Sequence, residues 1–386
     1  MKSVKKFQPP AFLRGIERSP IRQITDRAKP GDISFGLGEP DLPTPDVIRR
    51  EAMRVIQEEQ NGYTLQAGLP ALRELVARDY SHLNLSTDQV IITAGSQEAM
   101  YLALLTLVEA GDEVLIPNPG FVAYPTITRM TGGRPTFYQL PATSDFSFDL
   151  DDFKLRLSSK TKVVVCTSPS NPTGRTLTSK DLSGMARAVE ESGSDAFIIS
   201  DEIYRDLYYA GERPGSISEF YPRTVVISGL SKSMSMTGWR LGWILGDAAL
   251  IGAAHLLHGY VTTCASTISQ KAALAAWSEE GSQAREHHRS TFERRRDHLV
   301  ALIREECGLR CITPEGAFYT MVDIGRYGSS MEVAEAMLKA GVVTVPGNAF
   351  GSEGEGFLRV SFCADLPVLA EGVARMRAAL KKLKNG

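Results

Sequence analysis

A lysine set just past an apolar run, in a loop of small residues, can do covalent chemistry that few other side chains can. In the stretch Ser228-Gly-Leu-Ser-Lys232-Ser-Met-Ser-Met-Thr-Gly238-Trp-Arg240-Leu-Gly242, Lys232 follows the apolar residues 224–227. Glycine and serine let the loop backbone come close to a bound molecule, and a primary amine condenses with a carbonyl compound to an imine. Arg240 adds a fixed cationic fork suited to a phosphate. An ordinary solvated lysine would have the same local sequence, so the reading stands or falls on the rest of the chain.

Other residues of the right types follow successive apolar runs. The runs at 90–93, 114–116, 163–167, 197–200 and 225–227 are β-branched and short, and amphipathic patterns at 98–109 and 179–191 lie between them. Strands alternating with helices predict a mostly parallel sheet covered on both faces, with ligands beyond the carboxyl ends of its strands. After the first run come Gly95, Ser96 and Gln97, which open a helix whose free N–H groups can seat a phosphate. After the second comes Phe121 in a Pro/Gly loop, placed to stack on a flat ring. After the third, Asn171 in Ser168-Pro-Ser-Asn-Pro-Thr-Gly174 aims a carboxamide at the same crevice. After the fourth, Asp201-Glu-Ile-Tyr204 puts a carboxylate where it must find a partner, because an unpaired buried charge is costly. A protonated ring nitrogen would serve. Singly, each has a bland alternative: a serine cap, a packed aromatic, an Asn-Pro turn, an aspartate capping the next helix.

The composition bounds the function class. The chain has 386 residues, 43% hydrophobic and 23% charged, with a net charge of −2, as in a globular protein with no call for nucleic acid or an anionic membrane. Its five cysteines show no CxxC pair, so no metal site is expected, and they fit a reducing, cytoplasmic location. The basic start runs into prolines rather than an apolar signal segment, and no apolar stretch is long enough for a membrane span. No Walker A, HExxH or GxSxG motif offers a rival site. Arg294-Arg295-Arg296 and the adjacent His287 and His288 are expected on the solvated face of a long charged helix at 282–306. Beyond it, apolar runs at 309–312, 317–322, 342–345 and 357–362 with helices near 331–340 and at the end predict a compact α+β unit. The expected division is an N-terminal segment, 1–40, packed on the small domain, a large cofactor domain, 41–280, and a small C-terminal domain, 281–386.

In combination and order, Gly36-Leu-Gly38-Glu-Pro-Asp, Tyr63-Thr-Leu-Gln-Ala-Gly68, Ser168-Pro-Ser-Asn171-Pro-Thr-Gly174, Asp201-Glu-Ile-Tyr204, Ser231-Lys232 with Gly238-Trp-Arg240, and Phe357-Leu-Arg359 resemble the class I/II aminotransferases, pyridoxal-phosphate enzymes of fold type I. The resemblance spans nearly the whole chain. It implies an α/β fold with a mostly parallel seven-stranded sheet, and amino-group transfer between an L-amino acid and a 2-oxo acid by a ping-pong route. It implies that Lys232 holds pyridoxal 5'-phosphate as an imine, Asp201 pairs with the pyridinium, and Asn171 and Tyr204 bond the phenolic oxygen. It further implies Phe121 stacking on the ring, and Gly95, Ser96, Gln97 and Arg240 on the phosphate with Tyr63 reaching in from a second subunit of a homodimer. Arg359, helped by Asn171 and the Gly38 backbone, would fork the substrate α-carboxylate. One position departs from the pattern: Gly229 stands where many relatives have a hydroxyl, leaving Ser228 or Ser231 for that phosphate contact, with Ser231 preferred. Gln97 also stands where aspartate-using bacterial relatives carry a lysine for the distal carboxylate, which leaves the substrate side chain open. A C–S β-lyase on the same fold would use the same cofactor residues. A cofactor-sensing domain of a transcription regulator would need a DNA-binding module, for which the residues before Gly36 are too few.

Overall fold

The computed structural model describes residues 7–8, 16, 18–58, 60–209 and 211–385, residues 384 and 385 by backbone alone. In chain order the strands are β1 Ile33–Ser34, β2 Val90–Thr93, β3 Glu113–Asn118, β4 Arg134–Gln139, β5 Thr161–Thr167, β6 Phe197–Asp201, β7 Thr224–Gly229, β8 Gly242–Leu245, β9 Tyr319–Asp323, β10 Val342–Val343, β11 Val345–Pro346 and β12 Phe357–Ser361. The main sheet has seven strands in the order β2-β8-β7-β6-β5-β3-β4, as the resemblance implied. All are parallel except β8, which runs antiparallel to both of its neighbours. The switch in direction follows from the lysine loop, which leaves β7 at Gly229 and returns as β8 at Gly242 with those two glycines paired.

Both faces of this sheet are covered, which is why its strands read as continuous apolar runs. Along β5, Val163 and Val165 pack into one apolar cluster with the helices Ser96–Leu107 and Ala248–Val261, while Val164 and Cys166 pack into the opposite one with Ser179–Glu191. That period of two is the strand pleat itself. Two strands escaped the sequence reading. β4, Arg-Pro-Thr-Phe-Tyr-Gln, is an edge strand with a proline and little apolar content, and β8 is a short run following the lysine loop with no β-branched residue but Ile244.

The C-terminal part forms a three-stranded antiparallel sheet, β11-β12-β9, whose core joins Phe292, Phe318, Val360, Phe362 and Val373. The expected strand at 309–312 is not one; it is reduced to a single bridge, Cys311 to Val322. The run at 342–345 divides between two sheets, β10 pairing with β1 and β11 with β12. The β1 pairing ties the N-terminal segment to this unit through Ile33 N–H to Gly341 O at 2.9 Å and Phe35 N–H to Val343 O at 2.8 Å. Residues 1–6, 9–15 and 17 of that segment lie outside the described residues.

The long helix Glu279–Cys307 corrects two expectations. His288 is buried and its Nδ1 lies 3.0 Å from Ser233 O, the residue after Lys232, so this helix braces the lysine loop. Arg295 and Arg296 are buried as well: Arg295 forks Asp41, with Nη2 2.9 Å from Oδ2, and Arg296 reaches Pro314 O at 3.2 Å. The Arg295 charge is paired with an acid far away in sequence, whereas Arg296 pairs with its neighbour Asp297 and reaches the distant Pro314 only through a carbonyl. Sequence alone gave no sign of the distant partners.

Candidate active site

The residues at the strand ends converge on one cavity of about 330 Å³ between the main sheet and the C-terminal unit. It lies within the size range of small-ligand sites. Of the expected site residues, Gly38, Ser96, Gln97, Phe121, Asn171, Asp201, Tyr204, Ser231, Lys232, Arg240 and Arg359 all line it. Gly95 sits just beneath, with a positive φ of 88°, and a Cβ there would come within 2.6 Å of Arg240 Nη2. Only glycine leaves the guanidinium that position. Tyr63 does not line its own chain's cavity and is 88% exposed.

Lys232 points from the loop after β7 and donates from Nζ to Gly38 O at 2.8 Å. A side chain on Gly38 would collide with the Tyr319 hydroxyl, so the lysine, the glycine and the tyrosine fix one another. Burial pulls the lysine amine down to about 8, with Arg359 and Arg240 pushing in the same direction. A neutral amine, the nucleophilic form, is therefore reached far closer to neutrality than for an exposed lysine.

Asp201, the last residue of β6, is 8% exposed. Its Oδ2 accepts from Tyr124 Oη at 2.8 Å and its Oδ1 from the Ile203 N–H at 3.2 Å. That second bond closes a turn; no helix starts there for Asp201 to cap. Desolvation pushes its carboxyl up to about 6 despite the two donors and the Lys232 charge. A cation brought beside it would reverse that rise.

Arg359, on β12, is 2% exposed and is paired with no carboxylate of the described residues. Its Nη1 donates to Asn171 Oδ1 at 3.1 Å, its Nη2 to Gly36 O, and its Nε has no partner. The guanidinium lies over the Tyr319 ring at 4.3 Å and the Phe350 ring at 4.9 Å. A buried cation so held, with donor capacity to spare, is built to receive an anion. At the other end, Arg240 is locked by Thr237 O at 2.9 Å and Ala94 O at 3.2 Å, in the left-handed region at φ 53°. Such a conformation costs energy and persists where its surroundings enforce it. Beside it the helix Ser96–Leu107 begins, with Gly95 at its N-cap and no side chain capping its first N–H groups. Ser231 lines the cavity, whereas Ser228 is buried within β7 and donates to Glu202 O at 3.0 Å.

Sequence reasoning missed two contributors. Tyr124, three residues after Phe121 on the helix Ala123–Met130, bonds Asp201 and also Thr167 Oγ1 at 2.7 Å. The helical spacing from Phe121 was a readable signal. Tyr319, whose hydroxyl meets that of Tyr204 at 2.9 Å, was not readable, since it depends on the β9–β12 register that sets Tyr319 opposite Ser361.

Comparison with known proteins agrees with this geometry. The family described as aminotransferase class I and II matches residues 30–375. The chain is 36% identical over 384 residues to the aromatic-amino-acid aminotransferase 2 of Thermococcus litoralis, covering 96% of this chain and 98% of that one. It is 35% identical over 377 residues to the aspartate aminotransferase of Pyrococcus horikoshii, covering 95% of each. The structure of the aspartate aminotransferase from Thermus thermophilus with maleate superposes with a TM-score of 0.91 at 28% identity, covering 97% of this chain and 100% of that one. The fold is that of the fold-type-I aspartate aminotransferases, and the chain belongs to the class I and II aminotransferase family.

Proposed function

We propose that this aminotransferase uses pyridoxal 5'-phosphate held at Lys232, and that the cavity described above is where an L-amino acid and a 2-oxo acid exchange the amino group. The observation that carries the reading is the pairing, in one cavity, of a half-buried lysine with a depressed amine and a buried arginine with no carboxylate partner among the described residues. The donor set fits the cofactor: Gly95, whose Cβ would fill the space Arg240 takes, the helix start at Ser96 and Gln97, and Ser231 form a cradle for a dianionic phosphate. When bound, the cofactor supplies an aldehyde for imine chemistry and a ring that accepts electrons from the substrate Cα.

The residues do the rest. Asp201 would face the ring nitrogen with its negative charge and favour its protonated form, and Tyr124, itself bonded to Thr167, keeps Asp201 in place. Asn171 and Tyr204 would donate to the phenolic oxygen, and Phe121 would cover one ring face. Arg359, with Asn171 and the Gly38 backbone, orients the substrate by its α-carboxylate, placing Cα within reach of Lys232 Nζ. As a free amine, Nζ would take the Cα proton and later give it up again, and its lowered basicity suits both directions.

The same reading makes the protein a cytoplasmic homodimer in which Tyr63 serves the neighbour's phosphate, and it keeps the division at 41–280 and 281–386. The homodimer reading is supported by large apolar side chains left exposed besides Tyr63: Leu65 at 62%, Met53 at 56%, Ile56 at 58% and Tyr260 at 87%. Among the described residues no helix is long and apolar enough to cross a membrane.

The test is reconstitution of cofactor-free protein with pyridoxal phosphate across pH. An amine depressed to about 8 by burial is reactive above that pH and protonated below it. The rate of appearance of the imine absorbance is expected to rise with a midpoint near 8. A midpoint near 10, that of a solvated lysine, would point to attachment elsewhere.

A further inference from the structure

The start of the helix Ser96–Leu107 is braced by a buried pair, Glu98 and His258, that takes no part in the proposed chemistry. Glu98 is the third residue of that helix, and its side chain folds back so that Oε2 accepts from the Ala94 N–H. Its Oε1 lies 2.9 Å from His258 Nδ1 and accepts from the Thr262 hydroxyl. Neither side chain reaches water to any extent: Glu98 is 8% exposed and His258 not at all. The histidine comes from the distant helix Ala248–Val261. Its Nε2 is buried without a hydrogen-bond partner among the described residues, so the ring's polar contact there is with Glu98.

What the pair holds is the Ala94 peptide. Glu98 fixes its N–H, and its carbonyl accepts from Arg240 Nη2 at 3.2 Å. Gly95 follows directly, its own carbonyl accepting from Thr93 Oγ1 at 3.0 Å. Under the reading proposed above, on which this inference rests, Gly95, Ser96, Gln97 and Arg240 receive a dianionic phosphate. A carboxylate in the first turn of the same helix competes for its positive end and repels that phosphate. Burial pushes the Glu98 carboxyl up, but the bonds from His258, Thr262 and Ala94 more than reverse the rise, so the group stays ionised. A donor on Oε1 is then needed to draw the charge away from the helix start, and the imidazole N–H is placed to give it.

We propose that His258 is a positioning residue for the cofactor phosphate: held against Glu98, it lets the carboxylate fix the Ala94–Gly95 turn without repelling the dianion beside it.

The experiment measures, by equilibrium dialysis, the dissociation constants of the cofactor-free protein for pyridoxal phosphate and for pyridoxal, which lacks the anion. A lost charge-assisted hydrogen bond is worth about 10-fold in affinity. His258→Leu is expected to weaken pyridoxal phosphate by that factor and to leave pyridoxal unchanged. His258→Gln, which keeps an N–H donor, should weaken it less. Glu98→Gln keeps an acceptor for the Ala94 N–H and removes the charge, so combining it with His258→Leu should regain most of the affinity. An unchanged constant in His258→Leu overturns the proposal. So does an equal loss for both ligands, the mark of a damaged fold, or a double variant no tighter than His258→Leu. If the wild-type protein binds the two ligands equally, the phosphate seat itself is wrong; if it prefers the phosphate and His258→Leu keeps that preference, His258 alone is wrong.

Discussion

Lys232→Ala is expected to bind pyridoxal phosphate without imine absorbance and to lose turnover by roughly 10⁴-fold or more, the scale of a missing acid–base group compounded by the lost covalent link. The size follows from the geometry. Among the described residues Lys232 Nζ is the only amine lining the cavity; of the other titratable groups there, Arg240 and Arg359 are fixed cations, Tyr204 is a hydroxyl whose acidity burial has suppressed, and the Asp201 carboxylate is committed to Tyr124 and the Ile203 N–H. None of these can take a proton from Cα near neutral pH. Added ammonia or methylamine should restore a part of the lost rate, because the pocket keeps its anion sites. Turnover near the native rate in the variant would remove Lys232 from the chemistry.

The second large effect belongs to Asp201→Asn. The phosphate seat and the stacking aromatic are untouched, so the cofactor should still bind. Exchange of the substrate Cα proton in deuterated water should fall on the order of 10²- to 10³-fold, as for one partner removed from a desolvated charge pair. A second readout comes from the cofactor-free protein. There the Asp201 carboxyl is raised to about 6, so the folded state binds its proton more tightly than the unfolded chain does. Its contribution to stability is complete below the unfolded value near 4 and is lost as pH rises through about 6. Relative to Asp201→Asn, the wild-type apoprotein should thus lose about 3 kcal/mol across that window. Equal pH profiles for the two, or normal proton exchange, would contradict the role assigned to Asp201.

How much of this was legible in the chain depended on how local the determinant is. The strands that carry site residues were read correctly because burial on both faces turns them into unbroken apolar runs, as in β5 and β7. Lys232, Asp201 and Asn171 stand at or just past the ends of such runs, so a strand end placed each of them, and Arg240 closes the loop that leaves β7. β4 and β8 were missed because an edge strand with a proline and a short strand after a long loop carry little of that signal. Contacts across distant segments were not readable. Arg295 was expected on a solvated face and is buried against Asp41; His288 was expected outside and braces Ser233. A charge on a helix reads as solvated until its partner, far away in sequence, is known. Tyr319 belongs to the same class, since it reaches the cavity by sheet register.

The central claim is a covalent bond at one nitrogen, and reduction with borohydride tests it most directly. Purified holoenzyme, reduced and digested, should yield one peptide bearing the pyridoxyl group, with the label on Lys232. Prior incubation with an amino acid substrate should prevent the labelling. A label on any other lysine, or none on a protein that retains full activity, would contradict the account.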